Sequence, residues 1–251
     1  MVNLNDTIWK ELTSAGNAAN QVLRCLVEET GDFRENIEIL AEELSHQLSY
    51  YNATAYVLPH LAMLCSKLSL EDKFFLIVHM GAAIAAEGEY PLLPDTQAYQ
   101  EFQEGLMGLR RETECLITST DISVLLQADM GLGQEFALAA LAIIGDRKHA
   151  YDIWFLSGSC WEEGCVACDC GWNDEMFPLT EQTDCIEFAD IDTWDKKSLQ
   201  NEAVWFKGLL TLAGDEEMSQ ILPLVYGIGI CPDCGKREPY WDWLDRFIKE
   251  Y

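Results

Sequence analysis

The sequence of 251 residues predicts a mainly α protein, with stacked helical hairpins forming an α-α superhelix and a small cysteine-rich module at the C-terminal end. Three observations support this fold class. Apolar residues follow the 3.6-residue period of half-buried helices through the first two-thirds of the chain. Short connections containing Pro, Ser or Asn separate these segments. After Gly145 the composition changes, and most of the ten cysteines follow. We therefore place the helical repeats in 1–148 and the cysteine module in 149–251.

The early helices are predicted by apolar stripes and start signals. Ile37, Leu40, Leu44 and Leu48 form one stripe of a helix over 35–48. A second helix follows Asn52, and Pro59 inside it is expected to kink the helix or delay its start. Ser69-Leu70-Glu71-Asp72 predicts the start of a third helix. Because the third helix is apolar on most sides, we expect it between neighbours. Later helices are predicted at 96–118, 121–130, 133–144, 198–212, 215–226 and 240–251.

The first segment of the cysteine module is predicted to be a strand. Residues Ala150 to Leu156 are rich in aromatics and alternate in polarity, which is typical of β structure.

In the last predicted helix, Trp241, Leu244 and Phe247 have helical spacing. Their spacing favours packing of this helix onto the protein, although aromatic residues also anchor interfaces.

A segment of the first region resembles bacterial HEAT-repeat proteins. The residues that carry the resemblance are Glu43-Leu44-Ser45-His46-Gln47, then Tyr51-Asn52-Ala53-Thr54-Ala55, then Leu58-Pro59-His60-Leu61. The resemblance covers residues 8–90 and extends more loosely to about 145. It implies a HEAT-like α-α superhelix, a right-handed stack of hairpins, and it suggests a binding role. At Leu48 the sequence departs from the Gly that usually follows His-Gln in this family, which affects the expected turn.

The charge of the chain is strongly acidic. There are 43 acidic and 16 basic residues, giving a net charge of −27, and the excess is spread along the chain. Such a surface repels nucleic acid and anionic lipid and attracts basic proteins, although high charge also serves solubility alone. The start of the chain lacks the pattern of a signal peptide, and the longest apolar run is too short to span a membrane. We therefore expect a cytoplasmic protein with reduced thiols.

Two CxxC units predict a zinc site. Cys165-Val166-Ala167-Cys168 and Cys231-Pro232-Asp233-Cys234-Gly235 each place two thiolates where a turn brings them to one ion. The predicted ligands are Cys165, Cys168, Cys231 and Cys234, with the helices at 198–226 inserted between the two halves. A closed set of four thiolates leaves no open coordination position, so the Zn²⁺ would be structural. The C-terminal module is therefore predicted to be zinc-stabilised and similar to a zinc ribbon.

Other cysteines leave alternatives open. Cys168-Asp169-Cys170-Gly171 also offers a Cys-Gly pair, so Cys168 with Cys170 is an alternative to Cys165 with Cys168; Cys160 and Cys185 are further candidates. A thioredoxin-like redox role needs a βαβ context that the pattern does not provide. Three cysteines fit a buried, apolar role within helical stripes, namely Cys25, Cys65 and Cys115.

No catalytic motif accompanies these features. The four histidines lack metal or triad spacing and fit structural roles, and the lone GxG fragments fit turns. The favoured hypothesis is a non-enzymatic protein-binding scaffold, such as an inhibitor or immunity-type protein, that binds a basic protein partner. The alternatives are a HEAT-like enzyme of the lyase type and a zinc-stabilised adaptor subunit of a larger complex.

Overall fold

The computed structural model describes residues 1–156, 163–178, 183–196 and 198–250. Side chains are described for all of these except 156, 163–165, 174–178, 183 and 250. The chain is mainly helical and divides into two compact units, Met1–Tyr151 and Asp152–Tyr251. Among the described residues, no helix combines the length and the apolar character that crossing a bilayer requires.

The first unit consists of helices that pack in two rows. In order these are α1 (Ala19–Val27), α2 (Phe33–Ser45), α3 (Ala53–Cys65), α4 (Leu70–Glu89), α5 (Gln97–Ile117), α6 (Ile122–Ala128), α7 (Met130–Ile144) and α8 (Arg147–Leu156), whose last residues belong to the second unit. α1, α3 and α5 pack side by side in one row, and α2, α4 and α7 in the other. The helical character of this region is as predicted, and the HEAT-like superhelix stays a prediction.

Side-chain caps define where several of these helices begin. Asp32, Ser69, Thr96 and Asp129 each accept a hydrogen bond from a backbone amide in the first turn of the following helix. Each cap satisfies one of the amides that lack a partner at a helix start. The predicted starts of α4 and α5 are therefore confirmed, and the helices at 121–130 and 133–144 appear with boundaries shifted by one to three residues.

Two helices form the core of the first unit. α4 buries most of its length, including Phe74 to Val78 and Ala83 to Glu87, as expected for a helix with neighbours on most sides. α7 is buried from Phe136 to Ile144. The Phe74 and Phe136 rings stack with their centroids 4.6 Å apart, which ties the two helices together.

Local geometry departs from the prediction at two points of the HEAT-like segment. α3 starts at Ala53 and runs on through Pro59, so Pro59 does not delay its start. α2 ends at Ser45, before the predicted 48, because Gln47 and Leu48 adopt left-handed backbone angles with φ of 54° and 57°. Leu48 thus occupies a conformation that glycine adopts more easily.

The predicted strand at 150–156 is wrong, because this segment forms the end of α8. Asp146 starts this helix: its carboxylate accepts from the Lys148 amide at 2.8 Å and its carbonyl from the Ala150 amide at 3.2 Å. Buried side chains at Ala150, Tyr151 and Ile153 follow a helical face. The prediction considered the alternating aromatic residues and overlooked Asp146 as the start of a helix.

In its described residues, the second unit combines two small sheets with three further helices. Its elements are β1 (Glu163–Ala167), β2 (Asn173–Pro178), β3 (Ile186–Glu187), α9 (Glu202–Ala213), α10 (Glu216–Val225), β4 (Ile228–Ile230), β5 (Arg237–Pro239) and α11 (Tyr240–Glu250). β1 and β2 form an antiparallel hairpin, and β3, β4 and β5 form an antiparallel sheet in that order. α9, α10 and α11 confirm the predicted helices to within a few residues. Trp241, Leu244 and Phe247 are buried, which supports their packing role.

Candidate metal centre

Two hairpin turns position the cysteines. Cys168 to Trp172 connect β1 to β2, and Cys231 to Lys236 connect β4 to β5. The Cys168 amide donates to the Trp172 carbonyl at 2.7 Å, and the Cys231 amide donates to the Lys236 carbonyl at 2.9 Å. In both turns, the backbone amide of the first cysteine therefore closes the loop around the second.

Each turn ends on a glycine that the backbone requires. Gly171 follows Cys170 with φ of 91°, and Gly235 follows Cys234 with φ of 71°. A residue with a Cβ adopts these left-handed angles at a cost, so glycine lets the chain reverse directly after the second thiol. The two turns are thus built alike, although one has a single residue between its cysteines and the other has two.

The four sulfur atoms of Cys168, Cys170, Cys231 and Cys234 lie within 4.8 Å of one another. The Sγ–Sγ distance is 3.7 Å between Cys168 and Cys234 and also 3.7 Å between Cys170 and Cys231. Zn–S bonds of about 2.3 Å in a tetrahedron separate sulfurs by about 3.8 Å. The cluster therefore has the size of a tetrahedral site for one thiolate-preferring ion.

The four cysteines differ in exposure, and the two buried ones differ in thiol pKa. Cys168 and Cys231 are buried, whereas Cys170 and Cys234 are exposed. Burial raises the pKa of the Cys168 thiol to about 12. Burial also acts to raise the pKa of Cys231, but the backbone amides of Cys234 and Asp233 donate to its sulfur, and its pKa is lowered. These amides favour the thiolate form that a metal ion needs.

Three of the four predicted ligands belong to this cluster. Cys168, Cys231 and Cys234 come together, and Cys170 joins them, as the alternative pairing allowed. Cys165 lies in β1, but its side chain is outside the part of the chain that the structure describes. Cys160 falls outside the described residues altogether. Cys185 lies just before β3.

An ion-pair network centred on the buried Glu238 lies beside the cysteine turns, and sequence patterns did not predict it. Glu238 is 8% exposed and accepts hydrogen bonds from Arg246 at 2.8 and 2.6 Å and from the Trp243 indole at 2.9 Å. Lys236 pairs with Glu238 at 2.8 Å and with Asp169. Hydrogen bonding from Arg246, aided by Lys236, lowers the pKa of Glu238 to about 2.

This network connects the two cysteine turns. Asp169 lies between Cys168 and Cys170, and its carboxylate also pairs with Arg246 at 2.6 Å. Arg246, on α11, donates to the Ala167 carbonyl at 2.8 Å. The sequence contains one indication of this network, because Asp169 and Lys236 carry opposite charges and each belongs to one of the two cysteine turns. The network thus holds β1, the β4–β5 turn and α11 together.

Cysteines and histidines of the first unit have separate roles. Cys65 is fully buried, as expected, but Cys115 is exposed, so its predicted burial is wrong. The side chain of Cys115 lies on the outer surface of α5. The His60 ring bonds to the Val2 carbonyl at 3.1 Å and the His79 ring to the Phe75 carbonyl at 2.9 Å, which fits structural roles.

Comparison with known proteins adds no family to this description. No protein-family model matches the sequence, and neither the curated proteins nor the solved structures contain a match. The interpretation of the cysteine centre therefore rests on its own geometry.

Proposed function

We propose that the chain is a non-enzymatic protein-binding scaffold whose second unit is stabilised by one structural Zn²⁺ ion. The observation that carries the proposal is the set of four cysteine sulfurs within 4.8 Å of one another. Their separation fits a tetrahedral Zn²⁺ site, and thiolate donors suit this ion. Four thiolates fill the coordination shell, so the ion would connect the two hairpin turns and would leave no position for a substrate.

The charge of the molecule supports a basic protein as the partner. The net charge is −27, and several of the few cations are already held by carboxylates of the same chain. Examples are Lys73 with Glu112 at 2.6 Å and Lys148 with Glu89 at 2.6 Å. The remaining negative field favours association with a cationic protein and opposes nucleic acid and anionic membranes.

An inhibitor or immunity-type role is the form of this proposal that we favour. A helical unit with its own core offers a rigid surface, and a rigid surface loses little entropy when it binds. Long-range attraction would speed its association with a cationic toxin or nuclease. The cysteine centre would then stabilise the second unit without taking part in chemistry.

Elemental analysis of the purified chain tests the metal part of the proposal. We expect about one zinc per chain, and loss of that zinc in Cys231→Ser, because three thiolates hold Zn²⁺ less tightly than four. Cys115→Ser is the matched control, since Cys115 is an exposed thiol of the first unit. A chain that holds iron, or no metal, after purification under reductant would contradict this part.

Affinity capture with the immobilised chain tests the binding part. We expect the retained protein to be basic, and its dissociation constant to rise at least about tenfold between about 0.05 and 0.3 M salt, because salt screens the steering field. Retention of acidic or neutral proteins only, with no dependence on salt, would count against a basic partner.

A further inference from the structure

We infer that the four-cysteine cluster is also an oxidative-modification site, at which a hydroperoxide converts the thiolates into two disulfides between the hairpin turns and releases the ion. This inference rests on the proposed zinc site and goes beyond it, because a structural ion by itself implies no response to an oxidant. It is carried by the exposure and the pairing of the four sulfurs.

Each hairpin turn offers one exposed and one buried thiol. In the first turn Cys170 is exposed and Cys168 is 4% exposed; in the second, Cys234 is exposed and Cys231 is 1% exposed. A peroxide molecule in water therefore meets Cys170 or Cys234 first. Susceptibility to oxidation follows thiolate character and exposure, so these two positions start the reaction.

The contacts across the cluster join an exposed sulfur to a buried one. Cys234 lies 3.7 Å from Cys168, and Cys170 lies 3.7 Å from Cys231. A disulfide bond is about 2.05 Å long, so each pair closes by about 1.7 Å. The pairing within turns is less favourable, because Cys168 and Cys170 are separated by one residue and their disulfide would be strained. Pairing between turns forms both disulfides without that strain.

The chemistry balances at each pair. The exposed thiolate attacks one oxygen of the peroxide, so an S–O bond forms, the O–O bond breaks and hydroxide leaves. The buried thiolate then attacks the sulfenic sulfur, so the S–S bond forms, the S–O bond breaks and a second hydroxide leaves. Over both pairs, four thiolates are oxidised and two peroxides are reduced. Four protons from solvent convert the four hydroxides to water, and Zn²⁺ leaves because its donors are gone.

The oxidised unit would keep its connections. Both disulfides join the β1–β2 turn to the β4–β5 turn, which is the connection that the ion makes in the reduced form. The ion pair between Asp169 and Lys236 joins the same two turns, the ion pair between Asp169 and Arg246 joins the first turn to α11, and neither needs a metal. A dithiol can therefore reduce the two disulfides and restore the site by thiol–disulfide exchange.

The test uses the full-length chain, purified with reductant, freed of it and assayed first for zinc. Hydrogen peroxide is then titrated while a chelating dye measures free zinc and a thiol reagent measures remaining cysteine. We expect one zinc released for every four thiols lost, at about two peroxides per chain. Peptide mapping without reductant should find Cys168–Cys234 and Cys170–Cys231, and dithiothreitol with zinc should restore the metal content.

Two variants sharpen the result. Cys115→Ser removes an exposed thiol from α5 and should leave zinc release and the two disulfides unchanged. Cys170→Ser should yield only the Cys168–Cys234 disulfide and leave Cys231 unpaired. Because that variant changes a proposed ligand, the mapping of the unaltered chain decides the question by itself.

The outcomes separate this inference from the function it rests on. A chain without zinc before oxidation contradicts the proposed metal site. A chain with one zinc that keeps it while peroxide oxidises Cys115 contradicts the inference alone. Zinc release with any disulfide other than the two expected ones, or with sulfinic acids, also overturns it.

Discussion

Glu238 shows how a single buried carboxylate organises the second unit. Its side chain is 7% exposed and accepts from Arg246 and from the Trp243 indole, while Lys236 lies 2.8 Å away. A buried carboxylate is costly unless charged partners and hydrogen bonds compensate it, and here both do. Glu238 thereby connects β5 to α11 and to the β4–β5 turn.

Glu238→Gln should therefore destabilise the second unit. The amide leaves the partly buried Arg246 without its bidentate partner, and we expect a loss of about 2–4 kcal/mol in the free energy of unfolding. Urea unfolding followed by tryptophan fluorescence measures this loss. The control is Glu187→Gln, since Glu187 pairs with Arg237 at the exposed end of β3, where little change is expected. Equal effects of the two variants would refute the special role of Glu238.

For single residues, the sequence predicted that cysteines of the second unit come together, but it did not decide which cysteines these are. The Cys231-Pro232-Asp233-Cys234-Gly235 turn was predicted as a ligand pair, and its cysteines lie in the cluster. The first pair stayed open because CxxC and CxC patterns overlap at Cys168. Only the β1–β2 turn, which ends at Gly171, brings Cys170 to the other sulfurs. The Glu238–Arg246 contact connects residues of different elements, so no local pattern marks it.

Among the elements, α3 and α5 pack closely against each other in the first unit. A Cβ added at Gly105 would lie 2.8 Å from the Leu58 carbonyl carbon and 2.8 Å from the Pro59 nitrogen. The backbone of α5 therefore approaches α3 at its proline. Contact of this kind needs a residue without a side chain on one helix.

Gly105→Ala should push these helices apart. We expect a loss of about 1–3 kcal/mol from overpacking, even though alanine favours a helix over glycine by about 1 kcal/mol. Thermal unfolding followed by far-UV circular dichroism measures it. Gly131→Ala is the control, because the nearest atom to the added Cβ is the Asp129 carboxylate at 3.4 Å in the exposed first turn of α7. There the change should be neutral or stabilising, and the same loss at both sites would count against the packing argument.

The elements themselves were predicted best where a cap coincides with an apolar stripe. Ser69 was predicted to start α4 and is confirmed as its cap, and the helix predicted from about Thr96 begins there, with the Thr96 side chain as its cap. The prediction was wrong at 150–156, where a short aromatic run fits a strand and a buried helix equally well. Asp146 decides between them by capping α8, and a cap several residues upstream is easily separated from the run it starts.

For the whole molecule, the two units differ in how they are stabilised. The first unit buries α4 and α7 in a continuous apolar core. The second unit spans 100 residues, has small sheets, and holds the four-cysteine cluster and an ion-pair network beside it. Small domains commonly depend on such cross-links. The cysteines are distributed unevenly along the chain, since seven of the ten follow Gly145.

Metal removal should therefore act on the second unit and spare the first. Seven of the eight tryptophans belong to the second unit and only Trp9 to the first, so fluorescence reports the second unit. Far-UV circular dichroism reports mainly the first unit, which holds most of the helical residues. With a zinc chelator and a reductant present, we expect the fluorescence transition to move to lower temperature. Each kcal/mol lost lowers it by about 4–8 °C for a domain of this size.

The main circular dichroism transition should stay in place under the same treatment, because the core of α4 and α7 contains no proposed ligand. Cys231→Ser should reproduce the chelator's effect without chelator, and Cys115→Ser should not. A single transition that both probes report at one temperature, shifted as a whole by the chelator, would show that the two units unfold together. An unchanged fluorescence transition would show that the four thiols stabilise the second unit without an ion.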